Sequence, residues 1–380
     1  MPYQLPTEDQ NLAVESFRKF LQAEIKPIAR EYRDRFIPKE RMRELTQRIA
    51  EFGLPGCTIP VEHGGMGWSF TTQGMLFEEL VACSCDIALC VMLNMGLTAM
   101  LVNARPEVRE RYMPDALAGK IFGSICISEP DVGSNVAELK TRAVRDGDHF
   151  IISGEKTWIT NGVYSDVLIC TVRSEKGLSH ILIDRKEHGY ESRNIEKIAL
   201  GSQSTAQIFI TDARVPATNL IGEEGEGLRN TMKVFENARA HVGTLSVGIM
   251  RAALEDSIAY SKERKQFGKV IAAHQLIAAK IANMAIMLDA SRLMCQRVFG
   301  LIDAGVRCDV EASMAKAFAT EAAVKVCRDA VQLHGGNGIT KEFNVERLLR
   351  EAIIIPIPDG TTEIQQLIIA RALTGVAAFV

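Results

Sequence analysis

The hydrophobic period of this chain changes twice. Apolar residues follow helical spacing from Thr7 to about Gly119. They give way between about Ile121 and Ile221 to short runs rich in Ile, Val, Phe and Thr, then return to helical spacing after Gly227. Side chains repeat every 3.6 residues on a helix and every 2 on a strand, so no single regular architecture accommodates all three blocks. The pattern predicts an α+β protein with segregated layers: an N-terminal helical domain over 1–120, a middle β domain over 121–222 and a C-terminal helical domain over 223–380.

Local signals fill in the blocks. Thr7 and Gln10 have capping-box spacing, followed by apolar Leu12, Phe17, Leu21 and Ile25. Pro55, Pro60, Gly64 and Gly65 interrupt the first block, and the Ala-, Met- and Leu-rich run from Leu76 to Leu101 predicts a buried helix pair. In the middle block, Arg145-Asp146-Gly147-Asp148 between Val144 and Phe150 predicts a tight hairpin, with strands over Val167–Val172, His180–Ile183 and Ala206–Ile210. The acidic segment from Gly222 to Gly227 is expected to be flexible and to mark the second boundary. Ile277, Ile281, Met284 and Leu288 then form one stripe of a helix beginning near His274. A last long helix is expected from about Asp309 to His334, stopping at Gly335-Gly336.

Composition excludes several classes. Lysine plus arginine (44) against aspartate plus glutamate (47) gives a net charge of −3, without the basic excess of a nucleic-acid binder. No stretch reaches the roughly 18 uninterrupted apolar residues of a membrane span, and MPYQLPTEDQ lacks the basic-then-apolar order of a leader. A cytoplasmic protein, bound to neither nucleic acid nor membrane, is expected. The nine cysteines lack histidines or paired spacing for a metal site and read as buried thiols, with no metal expected. Neither GxGxxG after a strand nor GxxxxGK[ST] occurs, which removes the usual support for a nicotinamide-Rossmann or P-loop reading.

Five separated motifs point elsewhere. Ile127-Ser128-Glu129-Pro130-Asp131-Val132-Gly133-Ser134 opens the β block and Trp158-Ile159-Thr160-Asn161 lies within it. Arg264-Lys265-Gln266-Phe267-Gly268, Leu333-His334-Gly335-Gly336-Asn337-Gly338 and Asp359-Gly360-Thr361-Thr362-Glu363 follow in the C-terminal block. Together, and in this order, they resemble the acyl-CoA dehydrogenase family over essentially the whole chain. The resemblance implies a β-barrel-like middle domain, a C-terminal four-helix bundle, and FAD held between them, usually in a homotetramer built as a dimer of dimers. By matching positions, Ile125, Ile127, Ser128, Gly133 and Ser134 would wall the flavin and thioester, Trp158 and Thr160 would contact the ring, and Thr361 and Glu363 would approach the adenosine-pyrophosphate portion. Arg264, Phe267, Gln275, Gln332 and Gly336 would reach the FAD of a neighbouring subunit. A guanidinium suits a diphosphate, which takes several charge-assisted hydrogen bonds from its planar fork.

For the acyl-CoA, the resemblance implies that Ser134, Glu236, Arg239 and Gly360 contact substrate, with Arg239 in the pantetheine tunnel. The family reaction removes a proton beside the thioester while a hydride leaves the next carbon for the flavin, and electron-transfer flavoprotein then takes the electrons. A carboxylate base is required. Most members carry Tyr-Glu-Gly-Thr where this chain has Pro358-Asp359-Gly360-Thr361, and the family's second location for a base is Ala238 here. Asp359 is the expected base; one elsewhere in the chain is the alternative. Aspartate is one methylene shorter than glutamate and Pro358 removes an aromatic ring, so a wider pocket is expected. It would suit an alicyclic thioester such as cyclohexanecarboxyl-CoA, oxidised to its 1-ene. A short- or branched-chain acyl-CoA, a nitroalkane-oxidase-like activity without CoA, and a non-catalytic flavoprotein are the other readings, and a DNA-associated relative lacks support from the net charge.

Overall fold

The computed structural model describes residues 5–378; the side chains of Leu228 and residues 230–236 lie outside the description. Six helices come first: α1 (Glu8–Phe20), α2 (Lys26–Glu31), α3 (Lys39–Ala50), α4 (Phe70–Cys83), α5 (Cys85–Leu101) and α6 (Pro106–Leu117). Strands β1 (Gly123–Cys126), β2 (Arg142–Asp146), β3 (His149–Thr160), β4 (Val167–Ser174) and β5 (Gly177–Asp184) follow, then the short α7 (Arg185–His188), β6 (Glu191–Asn194), β7 (Thr205–Pro216) and β8 (Leu220–Ile221). The C-terminal block holds α8 (Gly227–Glu263), the two-residue strands β9 (Lys265–Gln266) and β10 (Lys269–Val270), α9 (Gln275–Asp303), α10 (Asp309–His334), α11 (Val345–Ile354) and α12 (Thr362–Thr374). The order is helical, sheet, helical, as the two changes of period require. Packing groups the chain into two compact units, each assembled from separated stretches: Met1–Pro27, Gly74–Cys85 and Glu236–Val380 in one, Ile28–Gln73 and Asp86–Phe235 in the other.

The second unit is built on one sheet, in the order β6-β7-β3-β2-β4-β5-β8 with β1 paired to β4. Gly147, at φ 60°, opens the two-residue turn of the β2–β3 hairpin, whose last pair is Asp146 with His149. Strand β4 is apolar almost throughout because both of its faces are covered. Leu168, Cys170 and Val172 face a core with Phe150, Ile152, Ile181 and Ile208. Val167 and Ile169 face a second core with Leu97 and Leu101 of α5 and Val108 and Tyr112 of α6.

The first unit is helical. Thr7 caps α1 in the expected box, its hydroxyl accepting from the Gln10 amide and the Gln10 side chain accepting from the Thr7 amide. Leu12 departs from the expected stripe: it is exposed, and Phe17, Phe20, Leu21 and Ile25 form the buried face. The final long helix runs from Asp309 to His334 and ends where Gly335 turns to φ 61°, which glycine adopts without a Cβ clash. Its buried face is lined by Ala312, Ala315, Ala319, Ala323 and Ala330, small enough for α9, α11 and α12 to pack against it. In α9 the expected stripe is buried only at Met284 and Leu288, while Leu276 and Ile286 stand exposed. All nine cysteines are buried as thiols, and among the described residues no helix is long and apolar enough to cross a membrane.

Candidate active site

Asp359 lies in the loop joining α11 to α12 and adopts φ 54°; Gly360 follows at φ 86°. Two consecutive left-handed residues reverse the chain tightly. The left-handed region is costly for side chains with a Cβ, though aspartate tolerates it better than most. A Cβ on Gly360 would stand 2.8 Å from Gln365 Nε2 and would push that side chain off the loop it holds, while the positive φ itself favours glycine. The loop is held from two helices. Gln365, buried in α12, donates to the Asp359 carbonyl at 3.3 Å and the Gly360 carbonyl at 2.8 Å. Lys316, fully buried in α10, donates to the Pro356 carbonyl at 3.1 Å and the Gly360 carbonyl at 2.7 Å. Thr361 caps α12 by accepting from the Ile364 amide, and the exposed Glu363 carboxyl is held below the usual range by its bond to Thr361.

The electrostatics suit a base. Burial lifts the Asp359 carboxyl above the ordinary aspartate range, although the cations of Lys316 and Arg239 pull against it. Burial pushes the Lys316 ammonium down to about 8, Asp359 opposes the change and Arg239 adds to it. Arg239 is itself 5% exposed. Asp359, Lys316 and Arg239 are thus parts of one electrostatic group, although Asp359 and Arg239 are 120 positions apart in the chain. The Glu236 side chain falls outside the described residues.

The second unit presents the other expected residues along β1, β3 and the segment between β1 and β2. Trp158 adopts φ 61° at an irregularity in the β3–β7 register between Lys156 and Ile159, and is 62% exposed. A bulge re-aims a side chain out of the sheet. An exposed aromatic in a conformation that sterics disfavour is the mark of a ligand contact more than of a core residue. The segment carrying Ile127 and Ser128 is tied to this bulge: the Thr157 amide donates to the Ser128 carbonyl at 3.0 Å, and Lys156 Nζ to the Ile127 carbonyl at 3.0 Å. Lys156 also pairs with Glu129 at 3.0 Å, both buried. Ile125 and Thr160 are half-buried, and Gly133 and Ser134 are exposed with open space where a Gly133 Cβ would stand.

The remaining expected residues divide. Arg264 and Gly336 line one cavity of about 330 Å³ with Tyr260, Gln266, His334 and Asn337. Gln275 and Gln332 are exposed and do not line it. Phe267 occupies the β9–β10 turn with Gly268, at φ 51° and 77°, and is 93% exposed beside His274. Lys316, Gln365 and Lys156 organise the two sites without having been named in the sequence, and Glu129 stood there only as part of a motif. The available signal was a lysine at a buried position of an alanine-lined helix face.

Models of three consecutive domains of one family match this chain in order: the acyl-CoA dehydrogenase N-terminal domain over residues 7–120, the middle domain over 124–213 and the C-terminal domain over 225–374. The chain belongs to the acyl-CoA dehydrogenase family. It is accordingly an FAD-dependent oxidoreductase. It is 34% identical to a probable acyl-CoA dehydrogenase of Bacillus subtilis over 97% of this chain and 98% of that one. It is 33% identical to a cyclohexane-1-carbonyl-CoA dehydrogenase of Syntrophus aciditrophicus over 97% of each. The solved butyryl-CoA dehydrogenase of Megasphaera elsdenii superposes with a TM-score of 0.92 at 27% identity, covering 98% of this chain and 100% of that one. Each unit separately has features that suit part of an FAD: an out-turned Trp158 and open space at Gly133 suit a flat ring, and a cavity lined by the Arg264 guanidinium and glycine backbone suits a diphosphate.

Proposed function

We propose that this enzyme oxidises an acyl-CoA thioester to its α,β-unsaturated form, with Asp359 as the base and an alicyclic acyl group as substrate. The observation that carries the reading is the Asp359 loop: a carboxyl with raised pKa, held in a left-handed turn by buried donors and flanked by Arg239. The Asp359 carboxylate takes the proton from the carbon beside the thioester, and the electrons of that C–H bond form the new double bond as a hydride leaves the neighbouring carbon. Bound FAD supplies the acceptor for that hydride, chemistry that side chains cannot provide. Ile127, Ser128, Trp158 and Thr160 would seat the ring, Arg264 and Gly336 would reach the FAD of a neighbouring subunit, and Ser134 and Arg239 would contact the acyl-CoA, Arg239 along the pantetheine. The raised pKa brings the base closer to the strength that proton abstraction needs at neutral pH.

The alicyclic substrate is supported by the short base, by Pro358 in place of an aromatic ring, and by the likeness to the Syntrophus aciditrophicus enzyme. Electron-transfer flavoprotein is the proposed electron acceptor. The test is an anaerobic titration that follows bleaching of the oxidised flavin by cyclohexanecarboxyl-CoA, butyryl-CoA and octanoyl-CoA. Bleaching by the cyclic thioester in preference to the linear ones is the expected result. Preference for a linear thioester refutes the substrate and keeps the reaction. Asp359→Asn should retain FAD and slow bleaching at least about 10²-fold, whereas bleaching at the unaltered rate would place the base elsewhere.

A further inference from the structure

We propose that Lys316 is a positioning residue for Asp359: a buried ammonium that clamps both ends of the 356–360 loop and sets the carboxyl's location and charge balance. The inference rests on Asp359 being the base.

Lys316 stands on the buried face of α10, four residues after Ala312 and three before Ala319, where packing alone asks for an apolar side chain. Taking an ammonium out of water costs several kcal/mol unless its surroundings compensate. Here no carboxylate forms a salt bridge with it among the described residues; its bonds go to the Pro356 and Gly360 carbonyls. Those carbonyls bracket Asp359. Around them, Asp359, Glu321 and Glu363 favour the ammonium and Arg239 opposes it. Methionine would fill similar volume without the desolvation cost, so the lysine is explained by the loop it holds.

Asp359 remains in its left-handed conformation only while its surroundings over-determine it. Lys316 and Gln365 do so together, since both donate to the Gly360 carbonyl. They differ in charge. Lys316 anchors the loop and also favours ionised Asp359; Gln365 only anchors.

The experiment uses the FAD-loaded enzyme and the pH dependence of anaerobic flavin reduction. Lys316→Met should lower kcat about 10²-fold, as a displaced reacting group does, with KM for the thioester changed by less than about twofold. Its acid limb should move to higher pH. Removing the cation that favours ionised Asp359 raises the carboxyl's pKa, so the carboxylate appears later on the pH scale. Lys316→Gln, which keeps a donor without the charge, should shift the limb in the same direction and serves if the methionine variant does not fold. Gln365→Met should lower kcat and leave the limb in place. A purely structural lysine would reduce FAD content or thermal midpoint without moving the limb. A folded Lys316 variant with unaltered kcat and acid limb overturns the inference while an inactive Asp359→Asn upholds the base. An active Asp359→Asn removes both.

Discussion

Lys156 and Glu129 are withdrawn from water together, and Glu129 also accepts from Lys140 and Thr141. Burial pushes the Glu129 carboxyl up, but the Thr141 hydroxyl, the Lys140 and Thr141 amides and the Lys156 ammonium outweigh it and hold the group below the usual range. Removing one member of such a pair leaves an uncompensated interior charge. Lys156→Met is therefore expected to destabilise the protein by about 3 kcal/mol, measured as a lowered urea midpoint. It should also loosen the Ile127–Ser128 segment and weaken FAD retention. A midpoint equal to that of the unaltered protein would show that Glu129's other donors suffice. Little of this was visible beforehand: Glu129 stood inside a motif, but nothing local announced that Lys156 is its partner, 27 positions away.

Two histidines show what elements do to a side chain. On α8, His241 is packed between the rings of Phe77 on α4 and Phe299 on α9 at 5.6 and 5.1 Å. On β5, His180 is buried against the Thr171 hydroxyl of β4. Burial pushes both down to about 4 from 6.5. A base whose folded pKa is depressed is protonated more readily when unfolded, so the unfolded state gains as pH falls. Stability from these groups is complete above pH 6.5 and is lost on acidification towards about 4. The loss in urea midpoint between pH 7 and pH 5 should be smaller in His241→Gln, which has no proton to gain. An identical loss would assign the acid sensitivity to other groups. The elements themselves were largely legible, since hydrophobic period and turn chemistry mark α10 and the β2–β3 hairpin. The α9 stripe was not, because period shows that a face is apolar without showing what covers it.

At the scale of the whole molecule, the helical unit leaves apolar surface uncovered. Phe267, Leu276 and Ile286 are 93%, 82% and 64% exposed, on the β9–β10 turn and on α9. Burying such side chains against a second copy of the chain would be favourable. The homotetramer that the family resemblance implies would cover them, and would bring Arg264, Phe267, Gln275, Gln332 and Gly336 to a neighbour's FAD. Leu276→Glu combined with Ile286→Glu should reduce the sedimenting mass from tetramer towards smaller species and lower FAD occupancy on dilution. Unchanged mass and occupancy would place the subunit contact elsewhere.

The amino-acid sequence by itself determined the succession of helical, sheet and helical blocks, because that depends on period and turn chemistry within a few residues of each position. It also determined the family, whose five motifs are each short and continuous. Tertiary structure alone decided which polar groups entered the interior and what they met there. Lys316 reached the Asp359 loop 43 positions away, and Lys156 reached Glu129, only once helix packing and strand register brought them together. The chemistry of Asp359 follows from the same cause. An isolated aspartate has an ordinary pKa and a free backbone; folding supplies the burial that raises the carboxyl, the cations that oppose the rise and the left-handed turn that fixes its place.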